Sequence, residues 1–188
     1  VVLQVRLPRT LGAMCVGASL ALSGATYQGV FRNPLVSPDL LGVSAGACVG
    51  AASAILLHTG RASLQVMALA TGLAAVALAT FIPRLLRNTS TMTLILSGVI
   101  VAGLMNSTLG LFKYIADPET ELADITYWMM GSLAGAKWEH MAIIGGIVAL
   151  AVLFFWSQSR ILNLMLLGDE SAITLGTDLH PYRQGYLI

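Results

Sequence analysis

Two polar stretches interrupt an otherwise apolar sequence, and they hold most of the residues able to do chemistry. The later one is Leu167-Gly168-Asp169-Glu170-Ser171-Ala172-Ile173-Thr174-Leu175-Gly176, led in by Leu162-Asn163-Leu164. Gly168 breaks the preceding structure, Asp169 can cap, Glu170 favours the positive end of a helix, and Gly176 can close the turn in the left-handed conformation. The expected product is a short helix projecting from the membrane, with an acidic start and a small, apolar body. Its chemistry is that of a knob. The earlier stretch is Arg32-Asn33-Pro34-Leu35, within Ser23 to Gly46. Pro34 disfavours the α conformation at Asn33 and ends the incoming helix. Ser37-Pro38-Asp39 then restarts the chain as N-cap, first-turn proline and dipole-favoured acid, so the stretch reads as the turn of a helix hairpin.

Bond-making chemistry has no equivalent support. The sequence contains no Gly-x-x-x-x-Gly-Lys-Ser/Thr run to cradle a nucleotide phosphate, no His-Glu-x-x-His and no Gly-x-Ser-x-Gly. His58, His140 and His180 are scattered, and His58 reads as an interfacial residue at a turn. Cys15 and Cys48 lie inside apolar runs, where cysteine behaves as a small hydrophobe. The expectation is a chain with no catalytic residues, no metal site and no cofactor of its own.

The elements that carry these stretches follow from composition. The chain is 56% hydrophobic and 10% charged with a mean hydropathy of +0.80, whereas a soluble domain carries about 25% charged residues. This is the make-up of a multi-pass integral membrane protein. A formal net charge of +1 gives no field for nucleic acid. Five spans are expected, at about Leu11–Val30, Leu40–Leu57, Leu64–Ile82, Leu94–Ile115 and Met141–Trp156, in an all-α transmembrane bundle forming one domain over residues 1–188. The first has small residues at Ala13, Gly17, Ala21 and Ala25, and the second at Gly42, Gly46, Gly50 and Ala54; such ridges let membrane helices approach closely. Pro83 is expected to stop the third.

On the fourth span, Gly103, Asn106, Gly110 and Lys113 share a face. Either Asn106 bonds a neighbouring helix and Lys113 snorkels to the interface, or the face lines a path. Asp117-Pro118-Glu119 opens a less apolar segment through Tyr127 and Trp128 to Trp138, expected to lie at the membrane interface. Val1 opens without a Met start or a secretory n-region, and Tyr186-Leu187-Ile188 reads as the beginning of another apolar run, so a piece of a longer chain is expected.

The residues Gly24, Gln28, Arg32-Asn33-Pro34-Leu35, Pro38, Leu41-Gly42 and Gly46-Ala47 resemble the signature of the FecCD permease family, the membrane subunits of bacterial ABC importers for iron-siderophores, haem and vitamin B12. Arg6-Leu7-Pro8-Arg9, the Trp128-Met129-Met130-Gly131-Ser132-Leu133-Ala134-Gly135 run and the 167–176 stretch are similar to family patterns too, the last without a gap. The resemblance implies about ten membrane helices in the whole protein, of which the second to the sixth lie here. It implies that Leu167, Gly168, Asp169, Glu170, Ala172, Leu175 and Gly176 form the cytoplasmic coupling loop, residues 167–177, that sits in a cleft of the ATPase subunit. It also implies that Gln28, Asn33, Leu35, Thr91 and Met92 belong to the pathway and its cytoplasmic gate, with Arg32, Pro34 and Pro38 shaping the turn; Asn106 joins the pathway on the reading in which the fourth span's face lines a path.

Partners implied in the same way are cytoplasmic ATP-binding subunits carrying ATP and Mg, a second permease copy as homodimer or heterodimer, a periplasmic substrate-binding protein and the lipid of the bacterial inner membrane. The competing class is an ATP-independent secondary transporter or channel. Such a protein needs ionisable residues deep in its spans, and only Lys113 qualifies, near a helix end. Charge alone does not orient the chain: Arg32, Arg84, Arg87, Arg160 and Arg183 on one side balance Arg6, Arg9, Arg61, Lys113 and Lys137 on the other. The coupling loop, which must meet the ATPase, assigns the first set to the cytoplasm.

Overall fold

In the computed structural model, residues 2–88, 90–167 and 174 are described, and among them every regular element is helical. A π-turn over Val2–Arg6 runs into α1 (Leu7–Phe31), followed by α2 (Val43–Leu56), α3 (Arg61–Leu85), α4 (Thr91–Ile115), α5 (Glu121–Met130), α6 (Trp138–Ser157) and α7 (Ser159–Leu167). The contacts divide the chain into two compact units. Among the described residues, one holds those up to Pro38 and those from Ser132 to Leu167, hence α1, α6 and α7; the other holds Asp39–Gly131, hence α2 to α5.

Three stretches are long and apolar enough to cross a membrane: Val2–Phe31, Arg61–Leu85 and Thr91–Ile115. The pair Met141–Ser157 and Ser159–Leu166, bent by 61°, makes a fourth if counted as one broken span. The expected second span differs in length. Gly42 sits at φ +74°, outside the right-handed helix, so α2 starts only at Val43 and has 14 residues. At 1.5 Å per residue that is about 21 Å, short of a hydrocarbon core of about 30 Å. The restart also differs from the capping expected at Ser37. Asp39 does that work: its Oδ1 accepts from the Ser44 N–H at 3.0 Å, and its carbonyl accepts from the Gly42 N–H at 2.9 Å.

The unit of α2 to α5 is packed through small residues. The ridge Gly42, Gly46, Gly50 and Ala54 is buried throughout. A Cβ on Gly46 would stand 2.7 Å from the Ala75 Cβ and 2.8 Å from the Thr71 carbonyl oxygen, so α2 lies on α3 backbone to backbone. The ridge on α1 has the opposite fate: Ala13, Gly17, Ala21 and Ala25 are all exposed, and the buried glycines of that helix lie off it, Gly12 against Met141 and Leu133 and Gly29 against the Leu162 carbonyl. Identical spacing does not choose a partner; the helix that crosses does.

Pro83 also departs from expectation, lying inside α3 with the helix continuing to Leu85. A proline has no N–H to give the carbonyl four residues back, here Ala79. Ser97 of α4, 2% exposed, supplies the missing donor: its Oγ lies 2.6 Å from the Ala79 oxygen and 2.8 Å from the carbonyl of Leu94 on its own helix. One hydroxyl proton serves both, and the shorter contact is the one between helices. Ser97→Ala should therefore destabilise the protein by about 1 kcal/mol, the scale of a buried interhelical hydrogen bond. In a Pro83→Ala background, where the new backbone N–H can reach the Ala79 carbonyl, the loss should shrink, which a double-mutant cycle read by thermal unfolding in detergent measures.

α5 is the expected less apolar segment, and its start is capped twice. Asp117 Oδ1 accepts from the N–H groups of Glu119 and Thr120 and from the Thr120 hydroxyl, while Glu121 Oε2 accepts from the Asp117 N–H at 2.9 Å. The Glu119 N–H, then the Thr120 hydroxyl and N–H, hold the Asp117 carboxyl below the usual carboxylate range. Ile125, 1% exposed, and Leu122 seat α5 in a cluster with Ala52, Leu109, Ala116 and Phe112. The other Glu121 oxygen, Oε1, lies 3.3 Å from His58 Nε2, which gives His58 a partner that its place in the sequence did not suggest.

Candidate gate turn and coupling segment

The turn that follows α1 is closed by its own hydrogen bonds. α1 ends at Arg32, which takes the left-handed conformation at φ +50° and directs its N–H to the carbonyls of Gln28 and Gly29. A non-glycine residue in that region carries strain of about 1 kcal/mol. Next, Asn33 Oδ1 accepts from the Leu35 N–H at 2.9 Å, the side-chain turn that suits asparagine before proline. The Val36 N–H donates to the Asn33 carbonyl at 3.3 Å, and Gln28 Nε2 reaches forward from the last turn of α1 to donate to the Pro34 carbonyl at 2.9 Å. Pro38 rests on Gly24. Gln28, Arg32, Asn33, Pro34 and Leu35 thus form one braced loop, with the Leu35 side chain standing out at 90% exposure.

The other expected pathway residues lie in the second unit. Thr91 and Met92 open α4 where expected, behind a Ser90 cap whose hydroxyl accepts from the Thr93 N–H at 3.3 Å, and Met92 is exposed. Asn106 lies on the same helix about 22 Å further along, at 1.5 Å per residue, so the two do not meet. Gly103, Asn106, Ser107 and Gly110 are exposed along one side of α4, and Asn106 makes no hydrogen bond among the described residues. The side-chain bond from Asn106 to a neighbouring helix, one of the two sequence readings, is not formed here.

Leu167 ends α7. Gly168, Asp169, Glu170, Ala172, Leu175 and Gly176 lie outside the described residues. The segment leading to them is placed. α7 turns away from α6 at Gln158 and packs on the end of α1, with Leu164 and Met165 buried and the Leu162 carbonyl facing Gly29. One contact that the sequence did not reveal joins the Arg32-Asn33-Pro34-Leu35 turn to α7: Arg32 Nε donates to the Met165 carbonyl at 3.0 Å. The positive side chain between two apolar helices was its only signal.

Set beside known proteins, all of residues 1–188 match the FecCD transport family. The chain is 39% identical over 183 residues to the molybdate import system permease protein MolB of Haemophilus influenzae, covering 97% of this chain and 54% of that protein. It is 41% identical over 187 residues to the vitamin B12 import system permease protein BtuC of Salmonella typhi, covering 96% and 55%. A solved structure described as an inward-facing conformation of a metal-chelate type ABC transporter superposes with a TM-score of 0.89 at 38% identity, over 100% of this chain and 60% of that one. The chain spans about half the length of the curated relatives it matches. With its whole length matched and its helices laid out as in a solved transporter, the chain belongs to the FecCD transport family.

Proposed function

We propose that the whole protein is the permease subunit of a bacterial ABC importer in the inner membrane, taking up a metal chelate, a corrinoid or a related metal-containing anion. The observation that carries this reading is the family match across every residue of the chain. The named relatives import molybdate and vitamin B12, which keeps the substrate class broad and includes siderophores and haem only as further candidates. In this reading ATP and Mg are bound by separate cytoplasmic subunits, a second permease copy completes the pathway, and a periplasmic binding protein delivers the substrate.

The chain's own part is mechanical. Residues 167–176 receive the closure of the ATPase, the braced turn at Asn33–Leu35 and the start of α4 at Thr91–Met92 narrow the cytoplasmic end of the path, and the small, polar side of α4 at Gly103, Asn106 and Gly110 faces it. Helices packed through glycine and alanine, like α2 on α3, shift as rigid bodies, which suits alternating access.

Charge reversal at the coupling motif tests this. Glu170→Arg in the full-length protein should leave membrane insertion unchanged and reduce the ATPase subunit that co-purifies in mild detergent by about tenfold, a like-charge or unpaired-charge cost of about 1.4 kcal/mol or more. Undiminished co-purification, with substrate-stimulated ATP turnover intact, would remove the coupling assignment.

A further inference from the structure

We propose that Arg32 is the positioning residue that ties the Asn33–Leu35 turn to the segment entering the coupling motif, so that movement at the motif reaches the turn through the Arg32 side chain. The proposal rests on the functional reading above. It is carried by the 3.0 Å bond from Arg32 Nε to the Met165 carbonyl and by the packing on both sides of it.

Three features make this bond a lever. First, α7 is a separate rod of nine residues, set at 61° to α6, so its displacement need not carry α6 with it. Met165, which is fully buried, and Leu164 anchor it where α1 ends. Second, Met165 lies near the end of the described part of α7, and its backbone carbonyl accepts directly from a guanidinium nitrogen. The bond is charge-assisted and sits two residues before Leu167, where the coupling motif begins. Third, Arg32 is both the left-handed cap of α1 and the neighbour of Asn33. Glycine would occupy that cap without strain, yet the position holds a side chain that reaches α7.

What Arg32 pulls is a stiff body. Gln28 to the Pro34 carbonyl, Asn33 Oδ1 to the Leu35 N–H and the Val36 N–H to the Asn33 carbonyl leave the loop little freedom to absorb a displacement. A shift of α7 therefore reappears as a shift of the exposed Leu35 side chain.

The test separates the hydrogen bond from the charge. Glutamine carries its amide nitrogen at the side-chain position of arginine Nε, so Arg32→Gln keeps a donor there without the charge, whereas Arg32→Met keeps the length and apolar stem without the donor. The full-length permease, assembled with its ATPase in nanodiscs, carries Leu35→Cys as the single reporter in a background where every native cysteine, Cys15 and Cys48 included, is replaced by alanine. The rate of labelling by a water-soluble maleimide is read with and without a non-hydrolysable ATP analogue, together with ATP turnover and ATPase co-purification.

With Arg32 present, the analogue should change the labelling rate by about tenfold, the span of a two-state shift worth about 1.4 kcal/mol. Arg32→Gln should keep most of that change. Arg32→Met should lose it while ATPase co-purification stays within about twofold. Equal loss in the Gln and Met variants overturns the proposal in favour of a charge role, as does a Met variant that loses the ATPase itself. An unchanged labelling rate with Arg32 in place and the ATPase active overturns it as well. If the parent protein carries no ATPase at all, the functional reading fails and this inference with it.

Discussion

Gly50→Leu is expected to unfold the α2–α3 pair. A side chain at Gly50 would run into the Thr71 hydroxyl and the backbone carbonyl of Met67, with the Met67 carbonyl carbon 2.7 Å from the new Cβ. Side chains can rotate away from such a clash, whereas the backbone of a packed helix cannot, so the two helices must part. Parting them exposes Ala51, Ala54, Ala75 and Ala79, all essentially buried now. Overpacking usually costs about 1 to 3 kcal/mol, and a clash with backbone lies at or above the top of that range. In a chain of this size about 3 kcal/mol lowers the melting temperature by roughly 10 °C. Gly17→Leu is the matched control: it belongs to an identical four-residue repeat on α1 and has nothing within 4 Å, so its melting temperature in detergent should not change. Equal losses at the two positions would mean that glycine acts here through helix propensity rather than through close approach.

Gly98→Val should detach the turn that precedes α2. A Cβ at Gly98 would overlap the Leu40 carbonyl and come within 3.3 Å of the Leu41 Cα. Leu41 is fully buried, and the next residue, Gly42, lies with its own Cβ position 3.1 Å from the Ala102 backbone. The whole stretch from Leu40 to Gly42 is therefore seated on α4 without spare room. Expelling it uncovers Leu41, worth about 2 kcal/mol by transfer, and disturbs the Asp39 cap of α2. On the proposed importer function the substitution should abolish ATP-driven uptake, and protease accessibility near residues 39–42 should rise. Retained uptake with normal protease resistance would show that the turn tolerates displacement.

Much of this architecture was legible because it is local. The α5 segment behind Asp117-Pro118 and the end of α1 before Pro34 both depend on residues within a few positions of one another. The resemblance to the FecCD family was legible for the same reason, since its signature is a continuous run of turn residues and glycines. Where expectation and structure part, the deciding group comes from far along the chain. Pro83 ended a helix on paper and stays within one in the structure, because Ser97 satisfies the carbonyl that proline leaves bare. Ser37 looked like the cap of α2, and Asp39 serves instead, because Gly42 in the left-handed conformation moves the helix start to Val43.

By itself the sequence determined the class of the protein and its motifs: an apolar composition that excludes a soluble domain, helices of membrane length, and the two polar stretches on which family membership rests. Only the tertiary structure decided which of two equally spaced small ridges is buried, that α7 breaks from α6 to lie on α1, and that Arg32 reaches Met165 of α7, 133 residues away. The physical reason is that helix propensity, capping and hydropathy are sums over neighbours in sequence. Close packing and the pairing of buried polar groups depend on which distant surface arrives, and no local pattern encodes that.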